Sequence, residues 1–216
     1  MFVKERMTAN PITTTENTTV VEASEILRKH DFARLPVVKD DKLIGIITRD
    51  DLLKVSPSEA TTLSVWELNY LLSKLTVKDA MTKNPVTIKP EATLEEAALI
   101  LRERKVGSLP VVDEKGKLVG IITESDIFDA FLDLMGLRQT GTRLTIDLEN
   151  RIGVIADITE TIKANGINII SLALFHRTNA AGELVLRLDS PESEPVIADL
   201  KSKGFKIIHI AKWVKP

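Results

Sequence analysis

The sequence predicts an α/β protein, α+β in the arrangement of its elements. One small mixed unit occurs twice in tandem, and a separate βαββαβ domain follows. Three observations carry this reading. The chain matches itself at an offset of 74 residues. Each copy alternates helix-period runs with short apolar strand-like runs. After about Thr140 the repeat is lost and a new alternation of strands and helices begins.

Internal repeats set the organisation before any local reading. Val3-Lys4 falls on Val77-Lys78, Met7-Thr8 on Met81-Thr82, Asn10-Pro11 on Asn84-Pro85, and Leu35-Pro36-Val37-Val38 on Leu109-Pro110-Val111-Val112. Over positions 3–38 there are 17 identities in 36. The second copy then gains one residue at a turn, and Gly45-Ile46-Ile47-Thr48 meets Gly120-Ile121-Ile122-Thr123 at an offset of 75. The expected boundaries are 1–54 for repeat 1, 55–76 for a linker with a helix, 77–134 for repeat 2, and 140–216 for the C-terminal domain.

Within each repeat the elements follow from spacing. Pro11-Ile12-Thr13 reads as a short extended opening piece. Val20 to His30 has helical spacing, with Ala23, Ile26 and Leu27 on one face. Leu35–Val38 is an apolar strand, Asp40-Asp41 a hairpin turn, and Leu43–Ile47 the partner strand. In repeat 2 the turn is Glu114-Lys115-Gly116 and the partner strand is Leu118–Ile122. Thr48 and Thr123 then open helices. Such a sheet is too small to stand alone, so the two copies are expected to pack together. In the linker, Ser64 and Glu67 have capping-box spacing, and Leu68, Leu71, Leu72 and Leu75 form a stripe. This predicts a helix over 64–75, with Trp66 and Tyr70 on a neighbouring face, packed within the module or marking a partner surface.

The C-terminal part reads as strand Leu144–Leu148, helix 152–164, strand Ile167–Phe175, a turn at 179–182, strand Glu183–Leu188, helix Glu194–Lys203 and strand Phe205–Ile210. Ile155, Ile158 and Ile162 share a helix face, and Asn165-Gly166 is a helix stop. The order βαββαβ is the ferredoxin-like pattern.

Composition narrows the function classes. The 216 residues carry a net charge of −2, and 44% are hydrophobic and 28% charged. A dedicated nucleic-acid binder is usually strongly basic. RNA-binding βαββαβ domains also stack bases on aromatics of their central strands, and Leu144–Leu148 and Glu183–Leu188 contain none. No nucleic-acid partner is expected. The absence of cysteine removes disulfides, thiol catalysis and sulfur-ligated zinc. His30, His176 and His209 show no ligand spacing, so no metal is expected. The N-terminus shows no signal-peptide pattern. No apolar run approaches the roughly 20 residues of a membrane span. A cytoplasmic protein without membrane attachment is expected.

The sharpest local signal is Thr48-x-x-Asp51, repeated as Thr123-x-x-Asp126 at strand-to-helix junctions. A helix N-terminus favours phosphate, and an acidic residue one turn on can accept both hydroxyls of a ribose. The same spacing is also a helix cap that needs no ligand. No nucleophile elbow, Walker loop or Gly-x-Gly-x-x-Gly is present, and no paired acids suggest general acid–base chemistry.

Taken together, MTANPITT and MTKNPVTI, ARLPVV and GSLPVV, and GIITRDDLL and GIITESDIF resemble the tandem CBS-domain pair, or Bateman module. The resemblance spans both repeats and implies a regulatory module that binds adenosine-containing ligands, namely AMP, ADP, ATP or S-adenosylmethionine, in two clefts. It implies that Thr48 and Asp51, with Thr123 and Asp126, meet phosphate and ribose. Thr13 and Thr87 would lie beside adenine, and Arg34 and Ser108 would line the clefts, with Arg34 as the phosphate ligand. The C-terminal domain resembles the ACT domain, through its βαββαβ order, Asn150-Arg151-Ile152-Gly153 and Gly166-Ile167-Asn168-Ile169. The family's usual run is Asp-Arg-Pro-Gly, so Asn150 and Ile152 depart from it. That run would form a second small-molecule site, for an amino acid; otherwise Asn150 caps a helix and Gly153 permits close packing. A CBS pair followed by an ACT domain resembles the acetoin utilization protein B group. The implied protein is a non-catalytic regulator with no catalytic cofactor, a homodimer or higher homo-oligomer acting on an unknown protein partner. Two alternatives are a purely structural oligomerisation module with empty clefts and a nucleotide-using enzyme.

Overall fold

A computed structural model describes residues 1–55, 74–178 and 181–214. The expected linker helix lies outside these residues except for Lys74 and Leu75, and so do Trp66, Tyr70 and the Asn179-Ala180 part of the expected turn. The chain divides into two compact units, Met1–Ile127 and Phe128–Pro216.

The first unit contains β1 (Thr8–Ala9), α1 (Val20–Lys29), β2 (Arg34–Lys39), β3 (Lys42–Thr48), α2 (Arg49–Val55), α3 (Val77–Ala80), β4 (Thr82–Lys83), α4 (Leu94–Arg104), β5 (Ser108–Val112) and β6 (Leu118–Thr123). It ends inside α5 (Glu124–Leu134). α1 starts where Thr19 closes a capping box: its hydroxyl accepts from the Glu22 N–H at 3.2 Å, and its own N–H donates to the Glu22 carboxylate at 2.9 Å. Thr93 and Glu96 repeat this at α4. The β2–β3 hairpin turns on Asp40 (φ 51°) and Asp41 (φ 62°), the left-handed pair of a tight two-residue hairpin.

The two sheets of this unit have orders β2-β3-β4 and β1-β6-β5, with every pairing antiparallel. The opening strands are therefore exchanged. Thr8 and Ala9 of repeat 1 pair with Ile121 and Gly120 of repeat 2. Thr82 and Lys83 of repeat 2 pair with Ile46 and Gly45 of repeat 1. This corrects the expected opening piece at Pro11–Thr13, because the strand lies earlier and belongs to the other repeat's sheet. The chain returns to its own repeat at Thr14, which bridges Val37; Ile88 likewise bridges Val111. The crossing passes through Asn10 (φ 47°) and Asn84 (φ 49°), a left-handed conformation that asparagine tolerates better than most residues.

Burial follows the exchange. One core joins Val20, Ala23, Leu27, Leu35, Val37, Ile47 and Leu52 of repeat 1 with Val77 of repeat 2. Val77 is wholly buried, and its N–H donates to Thr18 O at 2.8 Å. Val3 is its counterpart: it is also wholly buried, and its N–H donates to Ala92 O at 2.9 Å. Gly45 has a packing reason. A Cβ there would stand 2.6 Å from Met81 Sδ and 3.1 Å from Thr82 O, so β4 can lie against β3 only if residue 45 lacks a side chain.

The second unit has one antiparallel sheet of β7 (Gly141–Glu149), β8 (Ile169–His176), β9 (Ala181–Leu188) and β10 (Lys206–Trp213), in the order β10-β7-β9-β8. Helices α6 (Val154–Ala164) and α7 (Glu194–Ser202) complete the βαββαβ order. Alternate residues Leu144, Ile146 and Leu148 of β7 and Leu184, Leu186 and Leu188 of β9 share a core with Ile158, Ile162, Val196 and Leu200 of the helices. α6 starts at Val154, two residues later than expected, and its N-cap is Gly153 rather than Asn150. Gly153 is required for its φ of 85°, not for close packing: nothing lies within 4 Å of where its Cβ would be.

Candidate functional site

The site begins at the two strand-to-helix junctions. At the end of β3, Thr48 N–H and the Thr48 hydroxyl both donate to Asp51 Oδ2, at 3.1 and 2.7 Å. The Asp51 N–H returns a bond to the Thr48 hydroxyl at 3.1 Å. Thr123 and Asp126 reproduce the arrangement at 2.7, 2.8 and 3.3 Å. Each pair is a reciprocal helix cap. The cap engages one carboxylate oxygen and leaves the other. Asp51 Oδ1 has only Lys54 Nζ near it, at 3.5 Å, and Asp126 Oδ1 has no hydrogen-bond partner among the described residues. Capping therefore does not exclude ligand binding; it fixes the carboxylate's rotamer and leaves its second oxygen outside the cap.

The strand exchange places each junction in a cleft with walls from both repeats. The larger cleft, about 560 Å³, is lined by Thr48, Arg49, Asp50, Asp51 and Lys54 of repeat 1. Across it stand Thr82, Asn84, Pro85 and Val86 and, from the start of β5, Lys105, Val106, Gly107 and Ser108. The smaller cleft, about 300 Å³, is its counterpart: Thr123, Glu124 and Ser125 face Thr8, Pro11 and Ile12, with Phe32, Ala33 and Pro36 beside them. Both volumes fall in the range of about 300–1,000 Å³ usual for small-molecule pockets.

Arg34, Ala33 and Gly107 line both clefts. Arg34 lies across the junction of the repeats: a Cβ on Gly107 would be 2.9 Å from each of its terminal nitrogens. No hydrogen bond to the Arg34 guanidinium occurs among the described residues. Ser108, its equivalent in repeat 2, is 5% exposed, and its hydroxyl has no partner there. A buried hydroxyl without a partner marks a place where a polar group is wanted.

The expected site residues separate as follows. Arg34, Thr48, Asp51 and Ser108 meet in the larger cleft. Thr123 lines the smaller one, and Asp126 stands behind it, bonded to Thr123. Thr13 and Thr87 line neither cleft. The residues after them, Thr14 and Ile88, are the buried ones that tie each chain segment to its sheet. Sequence reasoning missed Asn84-Pro85-Val86 and Pro11-Ile12 as cleft walls, and also Lys54, Lys105 and Glu124. The repeated Asn-Pro was the available signal. In the second unit, Asn150, Arg151, Ile152 and Gly153 are exposed at the start of α6. Arg151 is paired with Asp157 at 2.5 Å, and the Ile152 side chain points wholly into solvent. Among the described residues no cluster of three or more metal-ligating side chains occurs. No described helix is long and apolar enough to cross a membrane.

The CBS-domain family model matches residues 3–58 and 77–133. This chain belongs to the CBS-domain family. Residues 140–211 match the TTHA0829-like ACT domain, so the CBS pair is followed by an ACT domain. Among curated relatives, inosine-5'-monophosphate dehydrogenase of Korarchaeum cryptofilum is 35% identical over 148 residues, which are 68% of this chain and 26% of that enzyme. The chain thus spans about a quarter of that relative's length. Three solved structures are similar to the CBS pair. CBSX2 in complex with AMP has a TM-score of 0.52 and 34% identity, covering 61% of this chain and 96% of that one. A candidate acetoin utilization protein (AcuB) from Vibrio cholerae has a TM-score of 0.53 and 30% identity, covering 63% and 94%. The CBS domain pair of protein MJ0100, in complex with 5'-methylthioadenosine and S-adenosyl-L-methionine, has a TM-score of 0.50 and 32% identity, covering 61% and 95%.

Proposed function

We propose that this protein is a non-catalytic regulator whose CBS pair senses adenosine-containing ligands. The observation that carries the reading is the pair of inter-repeat clefts, with capped Asp51 in the wall of the larger, capped Asp126 behind Thr123 in the smaller, and one carboxylate oxygen of each outside the cap. Asp51 and Asp126 accept the ribose hydroxyls through that oxygen. Thr48 and Thr123 act mainly by holding the aspartates, because both their donors point at the carboxylate. Arg34 serves phosphate, as a planar fork with no hydrogen-bond partner among the described residues. The adenosine ligands named for the similar CBS pairs support the same class.

Because each cleft has walls from both repeats, a ligand bridges them and favours one arrangement of the pair over another. Such a shift equals the ligand's differential affinity for the two arrangements. The signal passes through conformation or oligomer state, as a homodimer or larger homo-oligomer, to a protein partner. The ACT domain offers Asn150–Gly153 as a second site, of amino-acid class. The protein acts in the cytoplasm. Calorimetric titration with AMP, ADP, ATP and S-adenosylmethionine, repeated on Asp51→Ala and Asp126→Ala, tests the reading. Binding that either substitution removes supports it, and no binding by any of the four overturns it.

A further inference from the structure

The two clefts are alike in backbone and unlike in charge. The larger is lined by four cations, Arg34, Arg49, Lys54 and Lys105, against two carboxylates, Asp50 and Asp51. Two of the cations have partners: Arg49 pairs with Asp31 at 2.7 Å, and Lys54 lies 3.5 Å from Asp51. Arg34 and Lys105 have no carboxylate partner among the described residues. The smaller cleft has Arg34 as its one lining cation, against Asp31 and Glu124 with Asp126 behind Thr123. The difference traces to positions where the repeats differ in charge: Arg49 stands where repeat 2 has Glu124, Lys54 where it has Asp129, and Lys105 where repeat 1 has Asp31, while Arg34, at the position of Ser108, lines both clefts.

We infer that the two clefts select adenosine ligands of different charge, and that Arg34 links them. This rests on the adenosine reading above. A 5'-phosphorylated adenosine takes the larger cleft, where Arg34 and Lys105 supply the countercharge. An adenosine without phosphate, either a neutral thioether or a cationic sulfonium, takes the smaller cleft. There Glu124 and Asp126 repel an anion and favour a cation, especially in a low-dielectric pocket. Arg34 lines both spaces. When it turns toward a phosphate in the larger cleft, the smaller one loses its only lining cation. Phosphorylated ligand therefore raises the affinity for the cationic one, and by linkage the reverse holds equally.

The test uses the full chain with AMP, 5'-methylthioadenosine and S-adenosylmethionine in calorimetric titrations at two salt concentrations. AMP and 5'-methylthioadenosine should each bind once per chain, and both at once. Of these two, only AMP binding should weaken with salt. Arg34→Ser, which copies repeat 2, should weaken AMP by about tenfold or more, as loss of a guanidinium–phosphate pair does. It should leave 5'-methylthioadenosine within about twofold of wild type, a change below the tenfold step of 1.4 kcal/mol, and abolish the effect of AMP on the affinity for S-adenosylmethionine. Glu124→Gln should weaken S-adenosylmethionine more than 5'-methylthioadenosine. Competition of AMP with 5'-methylthioadenosine for one cleft, or equal weakening of both by Arg34→Ser, overturns the inference and leaves the adenosine reading standing. Failure of all three ligands to bind wild type overturns both.

Discussion

Replacing Asp51 separates a cap from a ligand-binding carboxylate. In Asp51→Ala the two bonds from Thr48 to Oδ2 are lost, together with the anchor of the returning N–H. Loss of an N-terminal cap of this kind costs about 1 kcal/mol, within a range of about 0.5–2. Asp51→Asn keeps an amide oxygen that can accept both Thr48 bonds, and it loses only the charge near the helix N-terminus, about 0.5 kcal/mol. Binding should follow a different order. If Oδ1 takes ribose hydroxyls, each charged hydrogen bond is worth about 1.5–3 kcal/mol. Either substitution then removes about 2–4 kcal/mol of affinity, some 30- to 1,000-fold in Kd. Urea denaturation without ligand gives the stabilities, and calorimetry with AMP gives the affinities. Stability should rank wild type, Asn, Ala; affinity should place Asn beside Ala, far below wild type. Affinities that follow the stability order, or that stay at the wild-type value in both variants, would refute the reasoning and leave Asp51 as a cap alone.

Three further outcomes are expected. Val77→Ala removes two methyl groups from a wholly buried site in the repeat 1 core, and should cost about 2 kcal/mol, with about 0.8 per methyl group and a cavity term added; a midpoint shift in urea no larger than for an exposed valine would contradict the exchange. Gly153→Ala should destabilise by about 1 kcal/mol through its left-handed backbone alone, and Gly153→Asn should recover part of that in thermal melts, because no neighbour obstructs either side chain. The Asp79 carboxyl is held below its ordinary 3.8 by the Thr76 N–H and hydroxyl, with nearby lysines adding to the effect. A lowered folded pKa gives stability that is present above 3.8 and lost as pH falls through the folded value. The melting-temperature gap between wild type and Asp79→Ala should therefore be steady at neutral pH and close below about pH 3.8.

The hairpins were legible because Leu-Pro-Val-Val and Gly-Ile-Ile-Thr are compact apolar runs beside turn residues. The ACT strands were legible because leucine and isoleucine alternate through β7 and β9. β1 and β4 were not. Each is two residues long with exposed side chains, and carries no periodicity to read. The exchange was hidden for a different reason. Thr8-Ala9 and Thr82-Lys83 sit at equivalent positions of near-identical repeats, so pairing within a repeat and pairing between repeats satisfy the same pattern. Only the three-dimensional path through Asn10 and Asn84 decides it. The candidate site was legible where chemistry marks the cleft walls, at Thr48, Asp51, Thr123 and Arg34. It was obscure where walls come from across the exchange: Asn84-Pro85-Val86 is distant in sequence from the Asp51 it faces. Thr13 and Thr87, expected beside adenine, line neither cleft, and the residues after them, Thr14 and Ile88, are buried and bridge their own sheets.

The pairing of Thr8-Ala9 with Gly120-Ile121 also has a consequence in time. The first strand to be synthesised waits for a partner made roughly 110 residues later, which at about 5–20 residues per second is on the order of 5–20 s of translation. Within that interval, from the completion of β3 at Thr48 until Thr82 is made, the β2–β3 hairpin exists with the edge meant for β4 still bare. A bare edge is a template for any compatible strand, including the same segment of a neighbouring nascent chain. Polysomes carrying many copies of this message therefore hold, side by side, every piece needed to trade opening strands between molecules instead of within one.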